Sequence, residues 1–241
     1  MIKKEKINLN IDELILKLCE KLKESGWYNI LKGFLLSEDF KKILITLQDN
    51  VNDGKRFTPP LSQIFKCFEE CPYDTLNTII IGEDPYTSLD YADGLLLSSG
   101  NTKKFEMPLR VLLKAINDDV YNGKKDPLKM DTDLKRLSHQ GILLLNSSLT
   151  SEIHNDKISH YKIWEPLINY LIDMLNNNQD YTWILMGKRT WKYEDVINDD
   201  FILKCEHPNI VKNYGDVWNS NDIFNKINEK QVSKKLKKII W

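Results

Sequence analysis

Apolar positions in the first quarter of the chain recur every three or four residues. In Ile11–Glu24, the residues Ile11, Leu14, Ile15, Leu18 and Leu22 share one side of a helix with Lys17 and Lys21 between them, the spacing a half-buried helix requires. Phe40–Leu47 repeats the pattern, with Gly26 and Gly33 as punctuation. Pro59-Pro60 precede another candidate, Leu61–Glu69, because proline suits a helix start and not its interior. From Leu76 the pattern changes to short apolar runs: Thr78–Ile81, Gly94–Ser98, Ile142–Leu145, Trp183–Met186 and Phe201–Cys205. Continuous rather than alternating apolarity predicts strands covered on both faces. Helical candidates lie between several of them: Pro108–Val120, Asp133–His139 with Thr132 as N-cap and Gly141 as stop, and Trp164–Leu175. Strands alternating with helices predict an α/β fold, a parallel sheet with helices on both faces. Ligands of such sheets bind at the carboxyl ends of the strands.

No repeat, long linker or compositional break is visible, so one domain is expected over residues 1–241, with a helical N-terminal portion to about residue 58. With 41% apolar and 29% charged residues, the chain can bury a full core. No run approaches the roughly 20 apolar residues of a membrane span, and Met1–Asn10 lacks the apolar stretch of a signal peptide. No membrane association is expected. The chain should stay where it is made, in the cytoplasm, or in the nucleus or host-cell interior if eukaryotic or viral. Cys19, Cys67, Cys71 and Cys205 lie in apolar surroundings without paired C-x-x-C spacing, which reads as reduced core thiols rather than a metal site. Neither metal nor cofactor is expected. The net charge of −1 offers no global attraction to nucleic acid, so any such contact needs a local basic face.

Three strand candidates end in polar groups that folding does not require. Thr78–Ile81 runs into Gly82-Glu83-Asp84-Pro85-Tyr86, Ile142–Leu145 ends in Asn146, and Phe201–Cys205 leads to Glu206-His207-Pro208. Singly these are an ordinary turn residue, a cap and a loop histidine. Together they place a carboxylate, an amide and an imidazole on one sheet edge.

These residues carry a resemblance. Gly82-Glu83-Asp84-Pro85-Tyr86 resembles the water-activating Gly-Gln-Asp-Pro-Tyr-His motif of family 1 uracil-DNA glycosylases. Ala92–Ser98 resembles that family's uracil-pocket strand, Gln140–Asn146 the strand ending in its uracil-reading Asn, and His207-Pro208 the start of its His-Pro-Ser-Pro-Leu loop. Weaker matches are Leu149-Thr150, the pairs Ser159-His160 and Trp164-Glu165, and the closing Ile239–Trp241. The likeness runs from Pro59 to the C-terminus.

The resemblance implies a three-layer α/β/α fold with a central, mainly parallel four-stranded sheet. It implies hydrolysis of the N-glycosidic bond of a pyrimidine flipped out of DNA, an extrusion that costs a few kcal/mol of stacking and pairing. Asp84 would position water and stabilise the cationic sugar, and His207 would hydrogen-bond the base O2 as negative charge collects there. Asn146 would match uracil O4 and N3–H together, and Tyr86 would crowd C5. Glu83 and Leu97 would border the base. Val211 or Ile210 would wedge into the duplex, with Pro108, Asn209 and Lys212 against the DNA. Lys188, Arg189, Lys192 and the Lys234–Lys238 cluster are further cationic candidates. The expected partner is single- or double-stranded DNA, bound by a monomer.

Four departures from the family pattern bear on the substrate. Leu97 stands where the family has a base-stacking Phe, Thr87 where it has His, and Glu83 where it has Gln. Leu109, Asn209 and Lys212 replace phosphate-binding serines. Alternative readings are therefore a glycosylase for another or modified pyrimidine, as in foreign DNA, and a non-catalytic DNA-binding replication accessory protein.

Overall fold

The computed structural model describes residues 8–154, 159–176, 180–199, 201–212 and 216–241; residues 1–7 of the lysine-rich opening stretch lie outside it. Three helices open the chain: α1 (Ile11–Glu24), α2 (Tyr28–Leu35) and α3 (Glu38–Asn52). α1 has the predicted bounds. The Asn10 side chain accepts from the Glu13 amide, and acidic first-turn and basic last-turn residues complement the helix dipole. Ser37 caps α3 in the same way through the Phe40 amide. Gly33 is not a break but lies inside α2, where a Cβ would come within 2.6 Å of the Tyr170 hydroxyl. Glycine permits that close helix contact.

Next come β1 (Phe57–Thr58) and α4 (Lys66–Glu69), the latter preceded by a 3-10 turn at Leu61–Gln63. The single helix expected over Leu61–Glu69 is thus split, because Phe65 leaves the helical region at φ −100°, ψ 11°. β2 (Thr78–Gly82), α5 (Met107–Tyr121), α6 (Lys135–Ser138), β3 (Ile142–Asn146), β4 (Ser151–Glu152), α7 (Tyr161–Asn176), β5 (Thr182–Met186), β6 (Ile202–Cys205) and α8 (Ile223–Ser233) complete the order. α6 is shorter than expected and Thr132 does not cap it. The Thr132 carbonyl instead accepts from the Ser99 amide, while the Asp133 side chain takes the Lys135 amide. Gly141, at φ +85°, follows α6 as predicted.

The main sheet has the order β3-β2-β5-β6, and every pairing in it is parallel. A two-stranded antiparallel ribbon, β1 with β4, lies apart from it. Alternate residues of the apolar strands enter different cores. Ile79, Ile81, Leu143, Leu145, Trp183 and Leu185 pack with α1–α4 and α7, whereas Ile80, Ile142, Leu144, Ile184 and Met186 pack with α5, α6 and α8. These are the three layers expected, and continuous apolarity is their cause.

Gly94–Ser98 is not a strand. Gly94 has φ +95° and Leu97 φ +61°, outside the β region of a regular strand. The run is buried as a loop across the end of β2, and a Cβ on Gly82 would strike Leu96 Cδ1 at 2.1 Å. Among the described residues no helix is long and apolar enough to cross a membrane.

Candidate active site

Four strand ends meet at one edge of the sheet. β2 delivers Glu83 and Asp84, and Gly82 at its end lies level with Asn146 at the end of β3. The turn is fastened there: the Glu83 carbonyl accepts from the Ser147 hydroxyl at 2.9 Å and the Ser148 amide at 3.0 Å. β5 leads into Gly187–Arg189, and β6 into His207. A cavity of about 980 Å³ opens at this edge, with Glu83, Asp84, Tyr86, Thr87, Leu97 and His207 in its wall. Pro108, Asn209 and Lys212 also line it.

His207 is 6% exposed. Its Nδ1 accepts from the Asn209 amide at 3.2 Å, which puts the proton of the neutral ring on Nε2. That nitrogen is buried and has no partner among the described residues. Burial pushes the imidazole below its ordinary pKa, against the opposing pull of the Glu83 and Asp84 carboxylates. His207 is therefore a neutral hydrogen-bond donor with a free N–H. Asn146 is equally buried, and its Oδ1 is likewise unpartnered. Most buried polar atoms in folded proteins are paired, so these two, at the carboxyl ends of the outer strands of the sheet, suit a ligand that supplies the missing partners; Asn146 itself is not among the residues that line the cavity.

The Asp84 carboxylate is held by neutral groups. Ser159 donates its hydroxyl to Asp84 Oδ2, and among the described residues no ion pair engages Asp84. Tyr86 is fixed in place, its hydroxyl donating to the Leu97 carbonyl at 2.8 Å, and burial holds the phenol well above its ordinary pKa. Glu83 turns toward β5: its Oε1 accepts from the Arg189 amide at 3.3 Å. Gly187, at φ +105°, passes so close that a Cβ would meet that oxygen at 2.5 Å.

Of the two wedge candidates, Val211 is 6% exposed and packed in the core that contains α5 and α8, whereas Ile210 is 48% exposed. Val211 is unavailable because its side chain already fills that core. Among the cationic candidates, Lys188 pairs with Glu206 at 2.7 Å and Lys192 with Glu165, while the Arg189 guanidinium lies 4.7 Å from the centre of the Tyr161 ring.

Tyr161 was not singled out in the sequence, and Ser159 entered only as a weak motif pair. The signal available was that pair, Ser159-His160, directly before α7. His160 itself is structural. Thr150 Oγ1 accepts from Trp164 Nε1 at 2.7 Å and contacts His160 Nδ1 at 2.8 Å, tying the start of α7 to the segment after β3.

None of the protein-family models searched matches the chain. Curated relatives do. The uracil-DNA glycosylase of Flavobacterium johnsoniae is 30% identical over 214 residues, covering 86% of this chain and 95% of the relative. That of Streptococcus uberis is 30% identical over 223 residues, covering 91% and 99%. The crystal structure of mimivirus uracil-DNA glycosylase superposes with a TM-score of 0.77 at 22% identity, covering 97% of this chain and 89% of that one, a likeness of fold. With relatives matched over nearly their whole length and a site at the expected sheet edge, the chain belongs to the uracil-DNA glycosylase family.

Proposed function

We propose that this protein excises uracil from DNA as a single-domain, cofactor-independent monomer working inside the cell. Water adds to C1′ of the flipped nucleotide and the C1′–N1 bond breaks with its electron pair passing to the base. The water's proton goes to Asp84 or to solvent, and an abasic site remains. Asp84 faces the positive charge that develops on the sugar, and the His207 Nε2–H donates to the oxygen where the base gathers negative charge. The Asn146 amide reads the base edge, and Tyr86 blocks C5. Ile210 enters the space the base vacates, while Pro108, Asn209 and Lys212 meet the DNA around it.

The observation that carries this reading is the combination at one edge of a neutral buried imidazole with an unpartnered nitrogen, a buried amide with an unpartnered oxygen, and a carboxylate that no cation neutralises. A donor and an acceptor for an oxygen-rich planar ring beside an uncompensated negative charge suit an anionic leaving base and an oxocarbenium-like sugar.

The test uses single- and double-stranded oligonucleotides with one uracil, incubated with the protein and then treated with alkali. Strand breaks should appear at uracil, and only after alkali. Intact strands at enzyme excess reject the proposal. Leu97, aliphatic and in a left-handed conformation, favours a second reading in which a modified pyrimidine is the better substrate. Mass spectrometry of bases released from variously modified DNAs decides between them, and release of uracil alone removes the second.

A further inference from the structure

Resting on the glycosylase reading, the two-stranded ribbon acquires a role in it. The Asp84 carboxylate must keep its charge toward the sugar and also be held in one orientation. The next residue along cannot hold it, because Pro85 has no N–H. A lysine or arginine would fix it but cancel the charge; a hydroxyl donor fixes it and leaves the charge in place. Ser159, in the wall of the same cavity, supplies such a hydroxyl to Asp84 Oδ2.

A serine has a single O–H. An ionised carboxylate only accepts, so the Ser159 proton goes to Asp84, and any other hydrogen bond at Ser159 Oγ is one that it accepts. Ser151 makes that bond, its Oγ donating to Ser159 Oγ at 3.2 Å. Two hydroxyls thus run head to tail, from Ser151 to Ser159 to Asp84. Their backbones are fixed as well. Ser151 is buried in β4, where it pairs with Thr58 of β1, and an antiparallel bridge joins it to Ser159. The following amide, that of His160, donates to the Thr150 carbonyl at 3.2 Å. The ribbon that lies apart from the main sheet therefore carries the hydroxyl that faces Asp84.

We propose that Ser159 and Ser151 are positioning residues, a two-hydroxyl relay that orients the Asp84 carboxylate toward the sugar while leaving its charge uncompensated. Ser151 is not among the residues that line the cavity and acts through Ser159.

Single-turnover uracil release by serine variants tests this. Ser159→Ala should be slower by about 10-fold or more, since a misplacement of about 1 Å can cost about 100-fold, with affinity for abasic DNA unchanged. Ser159→Thr keeps the hydroxyl and should restore most of the rate. Ser151→Ala should slow the otherwise wild-type protein but add nothing to Ser159→Ala, because its effect passes through that hydroxyl. A wild-type rate in Ser159→Ala, a rate in Ser159→Thr as low as the alanine variant's, or a double variant slowed by the product of the two single effects overturns the assignment. A second measurement needs no substrate: urea unfolding of wild type, Ser159→Ala, Asp84→Ala and their double variant. The two changes should be non-additive by at least about twofold in the unfolding constant, and additivity overturns the proposal. Should wild type release no uracil, the glycosylase reading fails while this cycle still decides whether the serine holds the carboxylate.

Discussion

His207 couples the chemistry to the stability of the fold. Replacing it with alanine removes the only donor assigned to the developing base anion, and uracil release should fall about 100- to 1000-fold in a single-turnover assay. The same residue makes a second prediction. Burial keeps the folded-state imidazole below its usual value of 6.5, so as pH drops below that value the unfolded chain takes up a proton before the folded one does. Stability is therefore full above about pH 6.5 and declines toward the lower folded value. In His207→Gln the decline measured by urea unfolding should flatten. Part of it should persist, since burial also lowers His160; an unchanged slope would mean that His207 is already protonated in the fold. Asp84, Asn146 and His207 were legible in the sequence because each lies at, or within two residues of, the end of an apolar strand. Ser159 was not, because it reaches Asp84 across a separation of 75 residues, from outside the strand ends that drew attention to the others.

At the level of elements, the loop across the end of β2 depends on one buried ion pair. Lys66 of α4 lies 3.1 Å from Asp93 Oδ2, and the Asp93 side chain is wholly inaccessible to solvent. Asp93 also accepts from Ser98 Oγ at 2.7 Å and from the amides of Leu95 and Gly100, each at 3.2 Å. Asp93→Asn leaves the lysine charge uncompensated and should destabilise the fold by about 3 kcal/mol in urea unfolding. A loss under about 1 kcal/mol would place the pair in the class of surface bridges. This loop is also where periodicity misled. Leu95-Leu96-Leu97 reads as a buried strand, yet burial alone produced the run, since the same side chains serve a loop packed over the sheet as well as a strand within it. The inner run of the main sheet was recoverable because both faces of β2, β3 and β5 are buried. α2 was missed because it is short and its one glycine marks a close helix contact instead of a break.

Across the whole molecule, charge is nearly balanced, and among the described residues the cations that line the cavity are Lys162, Arg189 and Lys212; on the proposed function these are the ones that meet phosphate. Lys212→Ala should weaken binding to any DNA sequence about equally and reduce the slope of log affinity against log salt by about one, measured by fluorescence anisotropy. An unchanged slope would place Lys212 away from phosphate.

The sheet order carries a further consequence for how the protein comes to life. Its central strands pair residues remote in the chain, Thr78 beside both Ile142 and Thr182, and its last strand brings in His207. A nascent chain emerging from the ribosome can settle its first three helices early, but β2 has no neighbour until β3 and then β5 arrive, and such long loop closures are slow. Asp84 is made long before the imidazole that the proposed function pairs with it. On the proposed roles, activity switches on only when β6 docks, and a chain stalled before it holds most of the protein's mass and none of its catalysis.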